Sequence, residues 1–281
     1  MIAPLPQHIV GACVARALEE DLGGRGDLTA LATLPADATA RFAIVSRDTG
    51  VLAGRQAAEE VFRQVDPSLQ ARWNAGDGDS LGAGDVLAEI EGSARTLVSA
   101  ERSALNFLGR LCGVATLTRQ YVEAVSGTGA AIAHTRKTTP GLRALELQAV
   151  RAGGGAAHRY NLSDAILIKD NHVAVCGSVG ETVRRARAFA GHMTRVAVEV
   201  DRLDQLDDAL EAGAESVLLD NFSLDDLVAA VSQAKGRATL EASGGVTLKT
   251  VRAIAETGVD VISVGALTHS ATNFDLGLDE V

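Results

Sequence analysis

Aromatic residues are scarce, at 3% of 281 residues with a single Trp, although 47% of the chain is hydrophobic. The core must therefore be built from Ala, Val, Leu and Ile. Such aliphatic usage, with 29 glycines, suits parallel α/β layers better than a β-sandwich. Cysteine is nearly absent. Cys13, Cys112 and Cys176 are isolated, odd in number and without CxxC spacing, which excludes a disulfide framework and predicts buried free thiols in a reducing compartment. No apolar stretch approaches the roughly 18 residues of a membrane span, and the N-terminus lacks a basic segment followed by an apolar run. The expectation is a soluble, cytoplasmic chain. There is no P-loop and no HExxH zinc motif. Positive charge is also in deficit, with 26 Lys and Arg against 36 Asp and Glu for a formal net charge of -10. That balance argues against a nucleic-acid or membrane-surface partner.

What positive charge there is gathers in one place. Between His134 and His172 six basic residues (Arg136, Lys137, Arg143, Arg151, Arg159, Lys169) face three acids (Glu146, Asp164, Asp170), and three of the six histidines lie there too. This is a local charge of +3 against -13 for the rest of the chain. A cationic island in an acidic protein points to a small anionic ligand.

The chain opens with an amphipathic helix over 8–21, stopped by Gly23-Gly24. Strand composition follows at 39–46, 51–54, 69–74 and 86–91, with a helix over 55–65 and a Gly/Asp-rich turn cluster at 76–85. This half reads as an α+β sandwich. Ser93 is a plausible N-cap for a helical pattern over 93–125, which Gly109 and Gly113 are expected to break in two. The domain junction is placed near 108–118, giving an N-terminal domain over 1–112 and a second domain over 113–281 whose last residues are free to pack back on the first.

Beyond the junction, short aliphatic runs at 130–133, 165–168, 196–200, 216–219, 238–241 and 261–264 alternate with helical segments at about 141–152, 178–190, 203–213, 224–234 and 248–257. A repeated βα unit implies a parallel sheet. An open doubly wound sheet and a barrel both fit. Six strands are fewer than the eight of a complete barrel, so a barrel is either incomplete or has a hidden strand.

In barrels the active site lies at the C-terminal ends of the strands. The run ends carry Thr135, Arg136 and Lys137; Lys169, Asp170, Asn171 and His172; Glu199; Asp220 and Asn221; Glu241 followed by Ser243, Gly244 and Gly245; and Gly265 and Ala266. Six convergent polar or glycine-rich ends are hard to explain as ordinary strand termination. Ser-Gly-Gly and Gly-Ala at the last two ends expose backbone N–H groups to an anion, the usual phosphate site of barrels. His269, four residues after Gly265, has two readings of equal weight: a contact to the same phosphate, or a capping or packing role. Arg136, Lys137, Arg159 and Lys169 make a cationic wall, to which His158 adds a donor. Lys169 ends an apolar run, so an anion is expected beside it. Glu199 and Asp220 suit either a divalent metal or ribose hydroxyls. Gly153-Gly154-Gly155 reads as a helix stop and a loop that presents His158 and Arg159.

The segments HTRKTTPGLR (134–143), GGGAAHR (153–159), LIKDNH (167–172), VEV (198–200), LLDN (218–221), EASGGV (241–246) and ISVGALTHS (262–270) resemble the quinolinate phosphoribosyltransferase family. ALEEDLGGRGDLT (17–29) and ERSALNFLGRLCGVATLT (101–118) extend the resemblance over nearly the whole chain. It implies an incomplete α/β barrel with an N-terminal α+β sandwich, acting as a homodimer. It also implies transfer of phosphoribosyl from phosphoribosyl pyrophosphate to quinolinate with Mg²⁺, giving nicotinate mononucleotide, pyrophosphate and CO₂ in NAD biosynthesis. Under it, Arg102 enters the neighbouring subunit's site, and Arg102, Arg136, His158, Arg159 and Lys169 hold the quinolinate carboxylates. Lys137 lies between dicarboxylate and pyrophosphate, with Thr135 beside it. Glu199 and Asp220 serve ribose and Mg²⁺, and Ser243, Gly244, Gly245, Gly265 and Ala266 cradle the 5′-phosphate near His269. Lys137, Lys169, Glu199 and Asp220 are the catalytic candidates. Ala157 departs from the family's usual Asn, and Leu147-Gln148 from its common Lys-Tyr. The rival readings are the molybdenum-transport-type paralogue of the same fold, a Schiff-base aldolase using Lys169, and a non-catalytic phosphate-binding barrel.

Overall fold

A computed structural model describes residues 2–281. Among them are twelve strands: β1 (Thr39–Ser46), β2 (Gly50–Val51), β3 (Gln70–Trp73), β4 (Ser80–Leu81), β5 (Val86–Ser93), β6 (Ala131–Ala133), β7 (Ile166–Ile168), β8 (Val196–Val200), β9 (Ser216–Asp220), β10 (Thr239–Ser243), β11 (Val261–Ser263) and β12 (Leu276–Glu280). The chain divides into two units. One comprises the residues up to Arg119 with Thr138–Gly154 and Ala266–Val281; the other is Gln120–Lys137 with Gly155–Gly265.

The first unit holds an antiparallel sheet in the order β12-β1-β5-β3 and a small β2-β4 pair. The helix Arg55–Val65 is strongly amphipathic and buries Ala57, Ala58, Val61 and Phe62. The sequence pattern missed β4, hidden in the turn cluster, and β12, whose partner β1 is more than two hundred residues away in the chain.

The expected break at Gly109 and Gly113 does not occur. Ala94–Ala124 is one helix of 31 residues. A Cβ at Gly109 would stand 3.0 Å from the carbonyl of Phe274, and one at Gly113 would collide with the carbonyl of Thr272. These glycines admit another stretch of backbone against the helix. The entropic cost of glycine in a helix, about 1 kcal/mol, is outweighed here by tertiary packing.

The second unit holds six parallel strands in the order β6-β11-β10-β9-β8-β7. The sheet is an incomplete barrel: β6 and β7 stand at its two ends, and next to β6 the gap takes only a single parallel bridge, Ala133 to Ala156. Val196, Val198 and Val200 are buried, as are Val217 and Leu219, while the alternate residues Ala197, Glu199, Leu218 and Asp220 line cavities. Period-two alternation therefore sends one set of side chains outward under the helices and the other inward. Each inward column starts with a small residue (Ala133, Ala165, Ala197, Ser216, Thr239 or Val261) and ends in a polar one at the C-terminal rim.

Candidate active site

A cavity of about 590 Å³ opens at that rim. Every strand contributes to it: Thr135, Arg136 and Lys137 after β6, Leu167 and Lys169 from β7, Glu199 from β8, Leu218, Asp220 and Asn221 from β9, Glu241, Ser243, Gly244 and Gly245 from β10, and Ser263 from β11. His158 and Arg159 complete the wall.

Local chain chemistry aims these groups. The amide of Lys137 donates to Thr135 Oγ1 at 3.1 Å, closing a tight turn after β6. The amide of Lys169 donates to His172 Nδ1 at 2.9 Å, so the ring reaches back over the start of the helix Asp170–Cys176 and holds Lys169 at its N-cap. The Lys169 ammonium pairs with Oε2 of Glu199, whose side chain is only 14% exposed. Asn221 adopts a left-handed φ of 56°, accepts no strain from β-branching, and donates from Nδ2 to Asp220 Oδ2 at 2.8 Å. Gly244, at φ 96°, packs so closely on the Asn221 carboxamide that no Cβ fits.

The basic side is crowded. Burial, then the neighbouring Arg136 cation, pulls the Arg159 guanidinium below its ordinary range. Its Nη1 donates to the carbonyl of Ala165 at 3.2 Å, while its buried Nε has no hydrogen-bond partner among the described residues. Two guanidinium groups held together with an unsatisfied buried donor are suited to an incoming anion. Deeper in the cavity, Glu241 is 7% exposed and meets His158 Nε2 at 3.3 Å. Burial pushes the Glu241 carboxyl upward, but the His158 hydrogen bond leads the effects that bring it below its ordinary value. The neighbouring Ser263 hydroxyl adds to this lowering.

Residues 27–112 match the N-terminal domain, and residues 114–279 the C-terminal domain, of quinolinate phosphoribosyl transferase. The chain belongs to the quinolinate phosphoribosyltransferase family. It is 45% identical over 273 residues to the nicotinate-nucleotide pyrophosphorylase (carboxylating) of Mycobacterium leprae, covering 95% of each chain. It is 43% identical over 260 residues to the probable enzyme of that name from Bacillus subtilis, covering 92% of this chain and 89% of the other. Among solved structures, the nicotinate-nucleotide pyrophosphorylase of Francisella tularensis superposes with a TM-score of 0.93 at 39% identity, covering 99% and 98% of the two chains.

Eleven of the fifteen site residues expected from the quinolinate phosphoribosyltransferase resemblance line this one cavity: Thr135, Arg136, Lys137, His158, Arg159, Lys169, Glu199, Asp220, Ser243, Gly244 and Gly245. Arg102, exposed on the helix Ala94–Ala124, and Gly265, Ala266 and His269 are outside its lining. Ala266–His269 forms a short helix directly after Gly265. Five lining residues stand outside that set of fifteen: Leu167, Leu218, Asn221, Glu241 and Ser263, of which Asn221 and Glu241 had been read as strand-end groups without an assigned role. Glu241 had a legible signal, since it lies two residues before Ser243 on the same strand and so shares its inward face.

Proposed function

We propose that the chain transfers the phosphoribosyl group of phosphoribosyl pyrophosphate to the ring nitrogen of quinolinate and releases pyrophosphate and CO₂, leaving nicotinate mononucleotide. The observation that carries this reading is the division of one cavity into three chemistries. Arg136, Arg159 and Lys169 form a basic wall suited to a dicarboxylate, with His158 beside Arg159, Glu199 and Asp220 offer carboxylates for ribose hydroxyls, and Ser243, Gly244 and Gly245 offer backbone to a phosphate. Membership of the family favours it over the Schiff-base aldolase and over a barrel that only binds.

Mg²⁺ binds through one or two carboxylates together with substrate phosphates and keeps several waters. Glu199 and Asp220 are hard oxygen donors on neighbouring strands and fit that mode. No group of three His, Cys, Asp or Glu among the described residues forms a self-sufficient metal cage. When bound, the ion would neutralise charge on the departing pyrophosphate. The protein's own work is positioning and electrostatics. Arg136, Arg159 and Lys169 hold the dicarboxylate with its ring nitrogen toward the ribose. Glu199 and Asp220 fix the hydroxyls, and their charge favours the electron-poor ribosyl centre as the bond to pyrophosphate breaks. After the nitrogen–carbon bond forms, the same cationic wall stabilises the electron pair left on the ring carbon when CO₂ departs, until a proton from water takes the place of CO₂ on that carbon. Gly265, Ala266 and His269 are assigned to the 5′-phosphate.

Incubation with quinolinate, phosphoribosyl pyrophosphate and Mg²⁺ is expected to yield nicotinate mononucleotide and CO₂ in equal amounts; the absence of both products would falsify the reading. The working unit is proposed to be a homodimer in which Arg102 serves the neighbouring site. Mixing inactive Arg102→Ala and Lys169→Ala chains should then restore part of the activity, and no recovery would remove Arg102 from the partner's site.

A further inference from the structure

The cavity contains one acid for which the proposed chemistry has no use. Glu241 is more than nine-tenths buried, and only its Oε2 is engaged, by His158 Nε2. The carboxylate is an acceptor and nothing else, so the imidazole must carry its proton on Nε2. His158 Nδ1 is then a lone pair, and it receives the amide of Arg159 at 2.8 Å. The amide of His158 in turn donates to His134 Nε2 at 3.0 Å, and His134 Nδ1 lies 3.3 Å from the carbonyl of Thr135. One chain of hydrogen bonds thus runs from Glu241 through both imidazoles to the backbone on either side of the cationic wall, at Arg159 and just before Arg136. The two links made by the His158 ring, to Glu241 and to the Arg159 amide, depend on its tautomer. If the proton moved to Nδ1, it would confront the Arg159 amide, donor against donor, and that backbone would have to shift with its guanidinium.

We propose that Glu241 is a positioning residue for the dicarboxylate: by holding His158 as the Nε2–H tautomer it sets the direction of Arg159. The proposal rests on reading this cavity as the quinolinate site. The requirement is for an acceptor, so a glutamine carbonyl can replace the carboxylate and an aliphatic side chain cannot.

The test compares wild type, Glu241→Gln and Glu241→Leu by two measurements. The first is ¹⁵N NMR of histidine-labelled protein without substrate, with the His158 signals assigned by their loss in His158→Asn. The Nε2–H tautomer is expected in wild type and Glu241→Gln, and a mixture or the Nδ1–H form in Glu241→Leu. The second is steady-state kinetics. Losing one buried hydrogen bond corresponds to about tenfold, so Glu241→Leu should raise the quinolinate KM by roughly that factor while the phosphoribosyl pyrophosphate KM stays within about twofold. Glu241→Gln should keep both KM values within about threefold of wild type. A wild-type His158 that is Nδ1–H or doubly protonated near neutral pH overturns the proposal, as does Glu241→Gln behaving like Glu241→Leu, or Glu241→Leu altering both KM values equally. Should Glu241→Leu fail to fold, the wild-type tautomer and Glu241→Gln still decide. The NMR arm needs no turnover, so a failure of the quinolinate reading is seen separately from a failure of the tautomer.

Discussion

Arg110 and Glu146 form an ion pair in the interior of the first unit, with Nη2 and Nε of the arginine 2.8 and 3.0 Å from Oε1 of a carboxylate that has no exposed surface. Glu146 also accepts the amide of Thr139 at 3.0 Å and its hydroxyl at 2.7 Å. Arg110 donates onward to the carbonyls of Thr268 and Ala271. Removing one partner of a buried pair leaves an uncompensated charge, which costs about 3–5 kcal/mol, whereas replacing both with apolar groups is often tolerated. Glu146→Leu alone is therefore expected to lose about 3 kcal/mol in urea unfolding, and Arg110→Met/Glu146→Leu to recover at least half of that loss.

The loop at Gly244 makes a second prediction. A side chain there is opposed twice, by a φ of 96° and by the Asn221 carboxamide, whereas Gly245 at φ 60° has open space around its Cβ position. Gly244→Ala should destabilise by more than the roughly 1 kcal/mol expected from φ alone and raise the phosphoribosyl pyrophosphate KM. Gly245→Ala should show the φ cost only. Equal effects at the two positions would remove the packing argument.

For Arg159, removing one member of a desolvated charge pair costs about 2–5 kcal/mol. Calorimetric titration of Arg159→Ala with quinolinate should show affinity falling by at least about thirtyfold. A change within about threefold, roughly 0.7 kcal/mol, would take Arg159 out of the dicarboxylate clamp.

Burial pushes the Cys112 thiol up to about 12 from an ordinary value of 9.0. Between those values the unfolded chain releases a proton that the folded chain keeps. The contribution to stability is thus complete below about pH 9 and is lost as pH rises toward 12. Cys112→Ala should flatten the alkaline limb of the stability profile. In the native protein near pH 8, alkylation followed by mass spectrometry should find Cys176, which is half-buried, modified first and Cys112 unmodified.

Much of the fold was legible because its signals are local. β1, β8 and the helices Arg55–Val65 and Leu224–Ala234 fall where composition and periodicity put them. The barrel strands were found to within a few residues, since an aliphatic run closed by a polar or glycine residue is a contiguous pattern. The failures have a common cause. β12, with the sequence LGLDE, has no aliphatic run to announce it and exists through pairing with β1, and Gly109 and Gly113 follow the approach of residues 272–274 rather than any tendency of the helix to break.

The amino-acid sequence by itself determined the rhythm of strands and helices, the polar groups at the strand ends and the long motifs of the family, all of which are encoded within a few residues of one another. Only the tertiary structure decided the strand order β6-β11-β10-β9-β8-β7 and the partnerships inside the cavity. Lys169 with Glu199, and His158 with Glu241, are thirty and more residues apart. Which acid meets which base depends on how parallel strands are ordered around a barrel. That is a property of sheet closure and packing, not of spacing along the chain.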